Sequence, residues 1–459
     1  MHDPVVVVGG GPAGLAAALA LRRAGHPCVI VERSEYDRFR VGETLAASAR
    51  SALMGLGLWD SFLSEGYVQS HAVLSSWGDS ELHGKHAFCS PLGSGWHLDR
   101  LRFDRFLARA AEDAGVEILR SARVSTIQRA SGSWNLRVDQ PRGTRELSAS
   151  VLIDATGSRS HIARRLGARR LVYDRMVGIA VSLTPAPATS SELASDARHS
   201  GFLLLEACAN GWFYSVPVPN GDLLVVFVTE PRSLRRDVSI RWREALAGTS
   251  HTRLRCEGNQ QQERVGVWPI STGRLDRSSG PGWIAVGDAA STYDPLSAVG
   301  ITKALQDGLD AARLISLGAH PADEQWQRYD ANIAERFEAY LVDRAKYYAV
   351  ERRWSTEPFW RSRGTIDPEA TGITLAATDR LTLKDSSTPS VPVDLASMIA
   401  RDEWDTLVRL AKVPRAAHEL AAALRRSESS GPRDRRIIVA LQVMIERGVL
   451  QAGPALEHR

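Results

Sequence analysis

The sequence predicts an α/β fold: a parallel sheet flanked by helices, an inserted antiparallel sheet, and a small, mostly helical C-terminal domain. Three observations predict it. Val5 to Val8 lead through Gly9-Gly10-Gly11-Pro12-Ala13-Gly14 into an apolar helix and a second apolar run, Val29-Ile30-Val31. Later short apolar runs, Val151-Leu152-Ile153-Asp154 and Trp283-Ile284-Ala285-Val286, have the unbroken hydrophobicity of strands buried on both faces. Between those two, residues 172 to 270 hold several β-like runs, and helical periodicity resumes after a polar stretch at 361–391.

The first unit is the most informative. Strand, glycine-rich turn, helix and second strand follow in order, and Glu32 ends the second strand. This spacing predicts a Rossmann-like unit that binds an adenine dinucleotide. Gly9 allows the tight turn. Gly11 lets the backbone approach a pyrophosphate, whose charge meets the helix N-terminus at Pro12 and Ala13. Gly14 lets the helix pack on the strand, and Glu32 is placed to bond a ribose hydroxyl.

Helical pattern is expected from Thr44 to Leu63, and mixed strands and loops over 68–98. An amphipathic helix is expected from Arg102 to Ala114, with Phe103, Phe106 and Leu107 on one side and Gly115 ending it. Strands follow near Val116-Leu119, Val124-Arg129 and Trp134-Val138. The insert contributes Val177-Leu183, Phe202-Glu206, Gly211-Pro217, Leu223-Thr229 and Val265-Pro269. Trp283 to Asp288 returns to the first domain, and helices run on to about Trp360. The expected division is therefore 1–171 with 271–360 as the nucleotide domain, 172–270 as the antiparallel domain, 361–391 as a linker, and 392–459 as a helical, winged-helix-like domain.

Composition excludes several classes. With 57 Lys and Arg against 53 Asp and Glu, the net charge of +4 and the lack of a long basic run give no reason to expect nucleic acid. Cys28, Cys89, Cys208 and Cys256 are scattered without a CxxC, as expected of reduced thiols. The first apolar run is itself the nucleotide-binding strand, and no apolar stretch is long enough for a bilayer. A cytoplasmic chain without a membrane span is expected. His83, His86, Cys89 and His97 lack paired metal-ligand spacing, so no metal site is expected. No Gly-x-Ser-x-Gly elbow supports a serine hydrolase.

Further segments narrow the dinucleotide to FAD. Gly287-Asp288 ends a strand, where an Asp suits a ribityl chain or pyrophosphate. Asp294-Pro295-Leu296-Ser297-Ala298-Val299-Gly300-Ile301 leads into a helix whose first amides suit an anionic flavin or a bound anion. Arg100, beside a helix start, and Arg40 are placed to reach a phosphate or ribityl oxygen. Taken singly, each of these is also what a capped helix or a surface arginine looks like.

Gly9 to Gly14, Glu32, Val41-Gly42-Glu43, Asp99-Arg100, Asp154-Ala155-Thr156-Gly157 and Gly287-Asp288-Ala289-Ala290 together resemble the flavoprotein monooxygenase superfamily that includes tryptophan halogenases. Gly95-Trp96-His97-Leu98-Asp99-Arg100, Trp212-Phe213-Tyr214-Ser215-Val216-Pro217 and Asp294 to Ser297 resemble the flavoproteins of tryptophylquinone cofactor biogenesis, which serve quinohemoprotein amine dehydrogenases and lysine and glycine oxidases. The resemblance implies FAD reduced by NAD(P)H or by a partner flavin reductase, dioxygen as co-substrate, and hydroxylation of an aromatic ring through a flavin C4a-hydroperoxide. The expected target is a tryptophan in a peptide or protein partner.

The alternative is a flavin-dependent halogenase of tryptophan or another aromatic small molecule. Halogenases carry Trp-x-Trp-x-Ile-Pro, and here Tyr214 stands for the second Trp. They also need a lysine, and Lys85 lies in a comparable part of the chain but reads better as a solvated loop residue. Ala298-Val299-Gly300 replace the usual Ser-Thr-Gly. Asp154-Ala155 in place of Asp-Gly puts NADPH binding by this chain in doubt.

His97 is the candidate acid or base, with a structural histidine as the equal alternative. Asp294 is a candidate proton acceptor, or the cap of the following helix. Trp96, Trp212 and Tyr214 are the candidate substrate contacts, against the default that any such aromatic packs a core. The C-terminal domain is expected to dock a peptide or protein substrate.

Overall fold

The computed structural model describes residues 3–87, 90, 92–130, 132–185, 201–231, 237–318, 323–364, 380–383, 401–413, 415–416, 419–420, 441, 444 and 449–453. A six-stranded sheet runs in the order Ser279–Gly280, Trp283–Ala285, Val151–Asp154, Val5–Val8, Cys28–Val31, Glu117–Leu119. Its last five strands are parallel. Val5–Val8 lies at the centre, flanked on both sides, and is fully buried. That is why four consecutive valines are tolerated there without a polar alternate.

Helix Pro12–Arg23 packs along helix Gly300–Ser316. A Cβ at Gly308 would stand 2.5 Å from the Ala13 carbonyl oxygen and 2.8 Å from the Ala17 nitrogen. The two backbones therefore approach more closely than any side chain allows, which brings the start of the late helix against the glycine turn. A three-stranded antiparallel sheet, Arg123–Ala130, Ser133–Gln140 and Gly143–Ala149, joins the same core through Trp134, Leu136 and Val138. The Trp134 indole donates to the Gly282 carbonyl at 2.7 Å.

The second large sheet has eight strands: Ser291–Thr292, Asn259–Leu275, Arg170–Pro185, Leu223–Thr229, Gly211–Pro217, Phe202–Cys208, Ala72–Ser76 and His83–His86. The strands expected between 172 and 270 are all present, and two from 68–98 extend the same sheet. Leu223–Thr229 is buried along its whole length because both faces are covered. Leu224, Val226 and Val228 face Met176, Trp212, Tyr348 and Trp360. Leu223, Val225 and Phe227 face Ile179, Phe213 and Trp242. The period of two assigns alternate residues to two separate cores.

Helix Asp323–Val350 bridges the sheets. Tyr329 donates to the Ala285 carbonyl of the parallel sheet at 2.8 Å, and Tyr348 enters the aromatic core on the antiparallel sheet. At 28 residues the helix is about 40 Å long, enough to touch both.

Three expectations need correction. The segment from Thr44 to Leu63 is not one helix: a short strand, Thr44–Leu45, precedes helices Ala49–Gly55 and Trp59–Ser64. The expected helix at Arg102 begins at Arg100, because the Asp99 carboxylate caps it through the amides of Leu101 and Arg102. Within the expected linker, Arg380–Leu383 is a strand paired with Arg415–Ala416 and Leu450–Gly453. The C-terminal unit therefore starts before 392. Helix Arg401–Leu410 is present, with Trp404, Leu407 and Val408 buried. Most of the remainder of the expected 392–459 domain lies outside the described residues, as do most of 361–391 and Cys89.

Candidate active site

The glycine turn separates packing from binding. Gly9 adopts φ +111°, and a side chain there would collide with the Ala155 carbonyl. A Cβ at Gly14 would collide with the Gly9 carbonyl. Gly11 differs, since nothing lies within 4 Å of where its Cβ would be. That open space adjoins the N-terminus of helix Pro12–Arg23, with Pro12 and Ala13 at its start. A helix N-terminus beside unfilled space is the setting a pyrophosphate requires. Glu32 is buried at the end of its strand. It accepts from the Gly10 amide at 2.6 Å and the Ser34 amide at 2.9 Å, so it also braces the turn.

Gly287 stands on the same helix end, where its Cβ would be 2.7 Å from the Ala13 Cβ. This places Asp288 beside the glycine turn. Two residues that sequence reasoning missed hold this corner. Asp307 is wholly buried and accepts from the Gly287 amide at 3.1 Å, Lys303 Nζ at 2.6 Å and Arg336 at 3.0 Å. Lys303 also donates to the Gly287 carbonyl at 3.0 Å. Arg170 donates to the Asp288 and Ala289 carbonyls at 3.0 and 3.2 Å. The signal for Asp307 was available: a Lys and an Asp four apart on an otherwise apolar helix face. Nothing in the sequence marked Arg170. Asp288 is open to solvent at this corner, with Lys303, Arg170 and Arg100 as the cations around it.

Arg40 and Arg100 converge on the buried Asp104, Arg40 at 3.1 Å and Arg100 at 3.2 Å. Arg40 also reaches Glu32 at 3.4 Å, and Arg100 donates to the Val41 carbonyl at 2.9 Å. The two arginines thus tie the Arg40-Val41-Gly42 loop to helix Arg100–Asp113. On the far side, Pro295–Ser297 forms a short 3-10 turn, Ala298 is left-handed at φ +51°, and Gly300 opens the late helix at an exposed end. Ile301 is a core residue, so only its backbone can serve a ligand.

Four expected roles change. His97 is wholly buried, and neither ring nitrogen has a partner among the described residues. Burial, with Arg255 and His71 nearby, pushes its pKa down to about 3. A base that weak does not accept protons near neutrality, so the catalytic assignment gives way to a neutral structural histidine. Trp96 is not a substrate contact. It packs edge-on against Trp59 and Phe62 in the core of the nucleotide domain. Trp212 is also enclosed, its indole donating to the Tyr348 hydroxyl at 3.0 Å. Asp294 accepts from Tyr348 at 2.7 Å, Arg344 at 3.0 Å and the Leu296 amide at 2.9 Å. Its acceptor sites are engaged in fixing the turn, so capping and ion pairing replace proton transfer.

Tyr214 lies at the edge of the same aromatic core. It is half-buried, and its hydroxyl donates to Glu43 Oε2 at 3.2 Å. Together with Trp268 and Ile270 it packs against the same aromatic core as Val41 and Leu296, which belong to the two nucleotide-side loops. Among the described residues no three His, Cys, Asp or Glu side chains are grouped to hold a metal ion. Among them also, no helix is long and apolar enough to cross a membrane.

The open space at Gly11, the buried Glu32 and the braced Gly287-Asp288 corner fit an adenine dinucleotide that continues toward Arg100 and the Pro295 turn. The family called FAD binding domain matches residues 2–357. The chain belongs to the FAD binding domain family. It is an FAD-dependent oxidoreductase of the flavin-dependent halogenase and monooxygenase superfamily.

The chain is 28% identical over 372 residues to the putative FAD-dependent oxidoreductase LodB of Marinomonas mediterranea, covering 78% of this chain and 96% of that one. It is 24% identical to tryptophan 2-halogenase of Chondromyces crocatus, covering 78% of this chain and 70% of that one. Among solved structures, the myxobacterial chondrochloren halogenase CndH superposes with a TM-score of 0.71 at 17% identity, covering 97% of both chains. The flavin-dependent halogenase CmlS gives 0.70 at 22% identity, covering 97% of this chain and 77% of that one. At these identities the structural likeness is one of fold. In this FAD-binding oxidoreductase, Gly11 and the first helix would hold the pyrophosphate, Glu32 the adenosine ribose, and Asp288 the ribityl or pyrophosphate oxygens. The Pro295 to Gly300 segment would flank the ring system.

Proposed function

We propose that this enzyme functionalises an electron-rich aromatic ring held between the FAD-side loops and the antiparallel sheet, with halogenation the better supported outcome. The observation that carries the ring reading is the aromatic core against which Tyr214 and Trp268 of the sheet and Val41 and Leu296 of the two cofactor-side loops all pack. Halogenation is supported by relatives whose names state it, among them the tryptophan 2-halogenase and a flavin-dependent halogenase of Armillaria mellea. The amides at Ala298 to Gly300 offer a halide the N-terminus of a long helix even without the hydroxyls of Ser-Thr-Gly. Bound FAD, once reduced, supplies the activation of dioxygen. The chain's own work is to bind the ring, exclude water and manage protons around it.

A second reading is hydroxylation, with a tryptophan in a peptide or protein as substrate. It is favoured by the lysines. Lys85 is exposed on the edge strand His83–His86, three strands across the sheet from Tyr214, and Lys303 is committed to Asp307. Lys346 and Lys412 are exposed. No described lysine joins the Tyr214–Trp268 cluster. None of the relatives named above is named for tryptophylquinone maturation, so that finer role rests on residues 95–100, 212–217 and 294–297. Since one dinucleotide fingerprint is present, a separate flavin reductase is the proposed electron source.

The test supplies the FAD-loaded enzyme with a reductase, NADH, dioxygen and bromide or chloride, together with free tryptophan and a tryptophan-containing peptide. Replacement of a ring hydrogen by halogen, read by its isotope pattern, supports the first reading. Gain of an oxygen atom, independent of halide, supports the second. Reduced flavin consumed with no aromatic product under either condition sinks both.

A further inference from the structure

Glu43 is the buried acid that the functional reading leaves without a task. It sits at the seam of the two large sheets, just before the strand Thr44–Leu45, and is 3% exposed. Its carboxyl accepts from the Gly42 amide at 2.8 Å through Oε1, and Oε2 meets the Tyr214 hydroxyl at 3.2 Å. Arg100 is nearby, but its guanidinium is spent on Asp104 and the Val41 carbonyl. The adjoining strand Gly95–His97 offers only His97, which burial keeps neutral. Glu43 therefore has no direct cationic partner among the described residues. A buried carboxylate in that position is costly, and the neutral acid is the cheaper state. Burial raises the Glu43 pKa above the ordinary carboxylate range, against the smaller opposing effects of the two amides, Arg100 and Tyr214.

Tyr214 connects this acid to the cavity. The hydroxyl is the one polar group that the strand Gly211–Pro217 offers to Glu43, and the ring is half-exposed on the face shared with Trp268. A tryptophan at this position, as in Trp-x-Trp-x-Ile-Pro, has no group that both accepts and donates a proton. The substitution by tyrosine thus creates a link that the halogenase motif lacks.

We propose that Glu43 and Tyr214 form a proton-delivery pair, with Glu43 as the internal acid and Tyr214 as the group that presents the proton to the substrate cavity. The Tyr214 O–H bond breaks as its proton passes to the oxygen anion released when the O–O bond of activated dioxygen is cleaved, which leaves as water. When Glu43 is neutral, the bond reverses so that its Oε2–H donates to the tyrosine oxygen, and that proton moves to the tyrosine oxygen in the same event. The Glu43 carboxylate then takes a proton from water, so each cycle consumes one solvent proton and leaves both side chains as they began. The role of Tyr214 rests on the reading that the ring binds against the sheet. The protonation state of Glu43 does not.

The experiment is infrared difference spectroscopy of the FAD-loaded protein at neutral pH without substrate, combined with a pH–rate profile. A protonated-carboxyl band is expected in the wild type, lost in Glu43→Gln and shifted in Tyr214→Phe. Turnover is expected to fall on the order of 100-fold in Glu43→Gln, with loss of the alkaline limb of the profile. FAD content per protein checks that each variant is folded and loaded. If Glu43→Gln does not load, the Tyr214→Phe band shift decides the pairing. A missing carboxyl band, a band indifferent to both substitutions, or an unchanged pH profile in Glu43→Gln overturns the pair. An intact Glu43 band with no turnover of any aromatic counts against the substrate reading and upholds Glu43 as the internal acid.

Discussion

At the residue scale, burial decides which of the chemically suggestive side chains can act. His97 and Glu43 are both enclosed, and both are driven to their neutral forms, with opposite consequences. For His97 the folded pKa of about 3 lies below the ordinary 6.5. The unfolded chain therefore binds a proton that the folded one refuses. The stability this group contributes is complete above pH 6.5 and is lost as pH falls toward 3. The variant His97→Leu is expected to flatten the acid side of the stability profile without changing FAD content. Thermal melts from pH 6.5 downward test this, and parallel slopes for both proteins would show that His97 does not titrate as its surroundings dictate. For Glu43 burial raises the folded pKa above the ordinary carboxylate range, which favours the neutral acid. Of two residues with titratable promise, the one with a hydroxyl partner is the better placed for proton chemistry.

At the element scale, the glycines fall into two kinds. Gly9, Gly14 and Gly308 are required because backbone atoms occupy the place of a side chain. Gly11 has empty space there and an unstrained φ of −83°. Gly11→Ala is therefore expected to leave the thermal stability of the FAD-free protein within about 1 kcal/mol of wild type while weakening FAD binding. Gly308→Ala is expected to cost about 1–3 kcal/mol in the FAD-free protein, since two helices must part to admit it. Melting curves with and without FAD, and FAD titration by fluorescence quenching, separate the two effects. Loss of stability in Gly11→Ala without FAD would remove the distinction. The same scale explains Trp212 and Asp294. Tyr348 accepts from one and donates to the other, so the helix Asp323–Val350 clamps the Pro295–Ser297 turn to the antiparallel sheet. An ion-pair chain extends this clamp from Asp294 through Arg344 and Asp174 to Arg363. Residues that look like chemistry in the sequence are here the struts of the cavity.

At the scale of the whole molecule, the match to the FAD binding domain family ends near residue 357, and the Arg380–Leu383 strand belongs with the segments that follow. A chain ending after Gly364 keeps Trp360 and Arg363, which complete the aromatic core and the ion-pair chain. It is expected to retain FAD and to modify free aromatics. If the C-terminal unit docks a peptide or protein, the truncated chain should lose at least tenfold in kcat/KM on a tryptophan-containing peptide, about 1.4 kcal/mol. Equal kcat/KM for the two forms on the peptide would refute the docking role. Much of this architecture was legible in advance. The βαβ unit, the buried strands at 151–154 and 283–285, and the inserted strands follow local rules of period and turn chemistry. The break near Gly57, the early start of the helix at Arg100 and the strand at Arg380 were not legible, because each depends on a cap, a left-handed glycine or a pairing partner distant in the chain.

The sequence by itself determined the class of cofactor. The glycine turn, Glu32 and Gly287-Asp288 are short signals whose spacing is set by helix and strand geometry, and the fold brings them together around one helix end. The tertiary structure alone decided which of the candidate side chains are enclosed and which partners they take. Trp96, His97, Trp212 and Asp294 were chosen for their chemistry and their closeness in sequence to cofactor motifs. Packing sent the first two into cores and tied the last two to Tyr348. It brought Glu43 to Tyr214 across 171 positions of chain. A short motif records the backbone shape that a dinucleotide needs, whereas burial and partnership depend on every element that closes over a residue. For that reason the FAD site could be read from the chain, and the proton-delivering pair appears only once the two sheets meet.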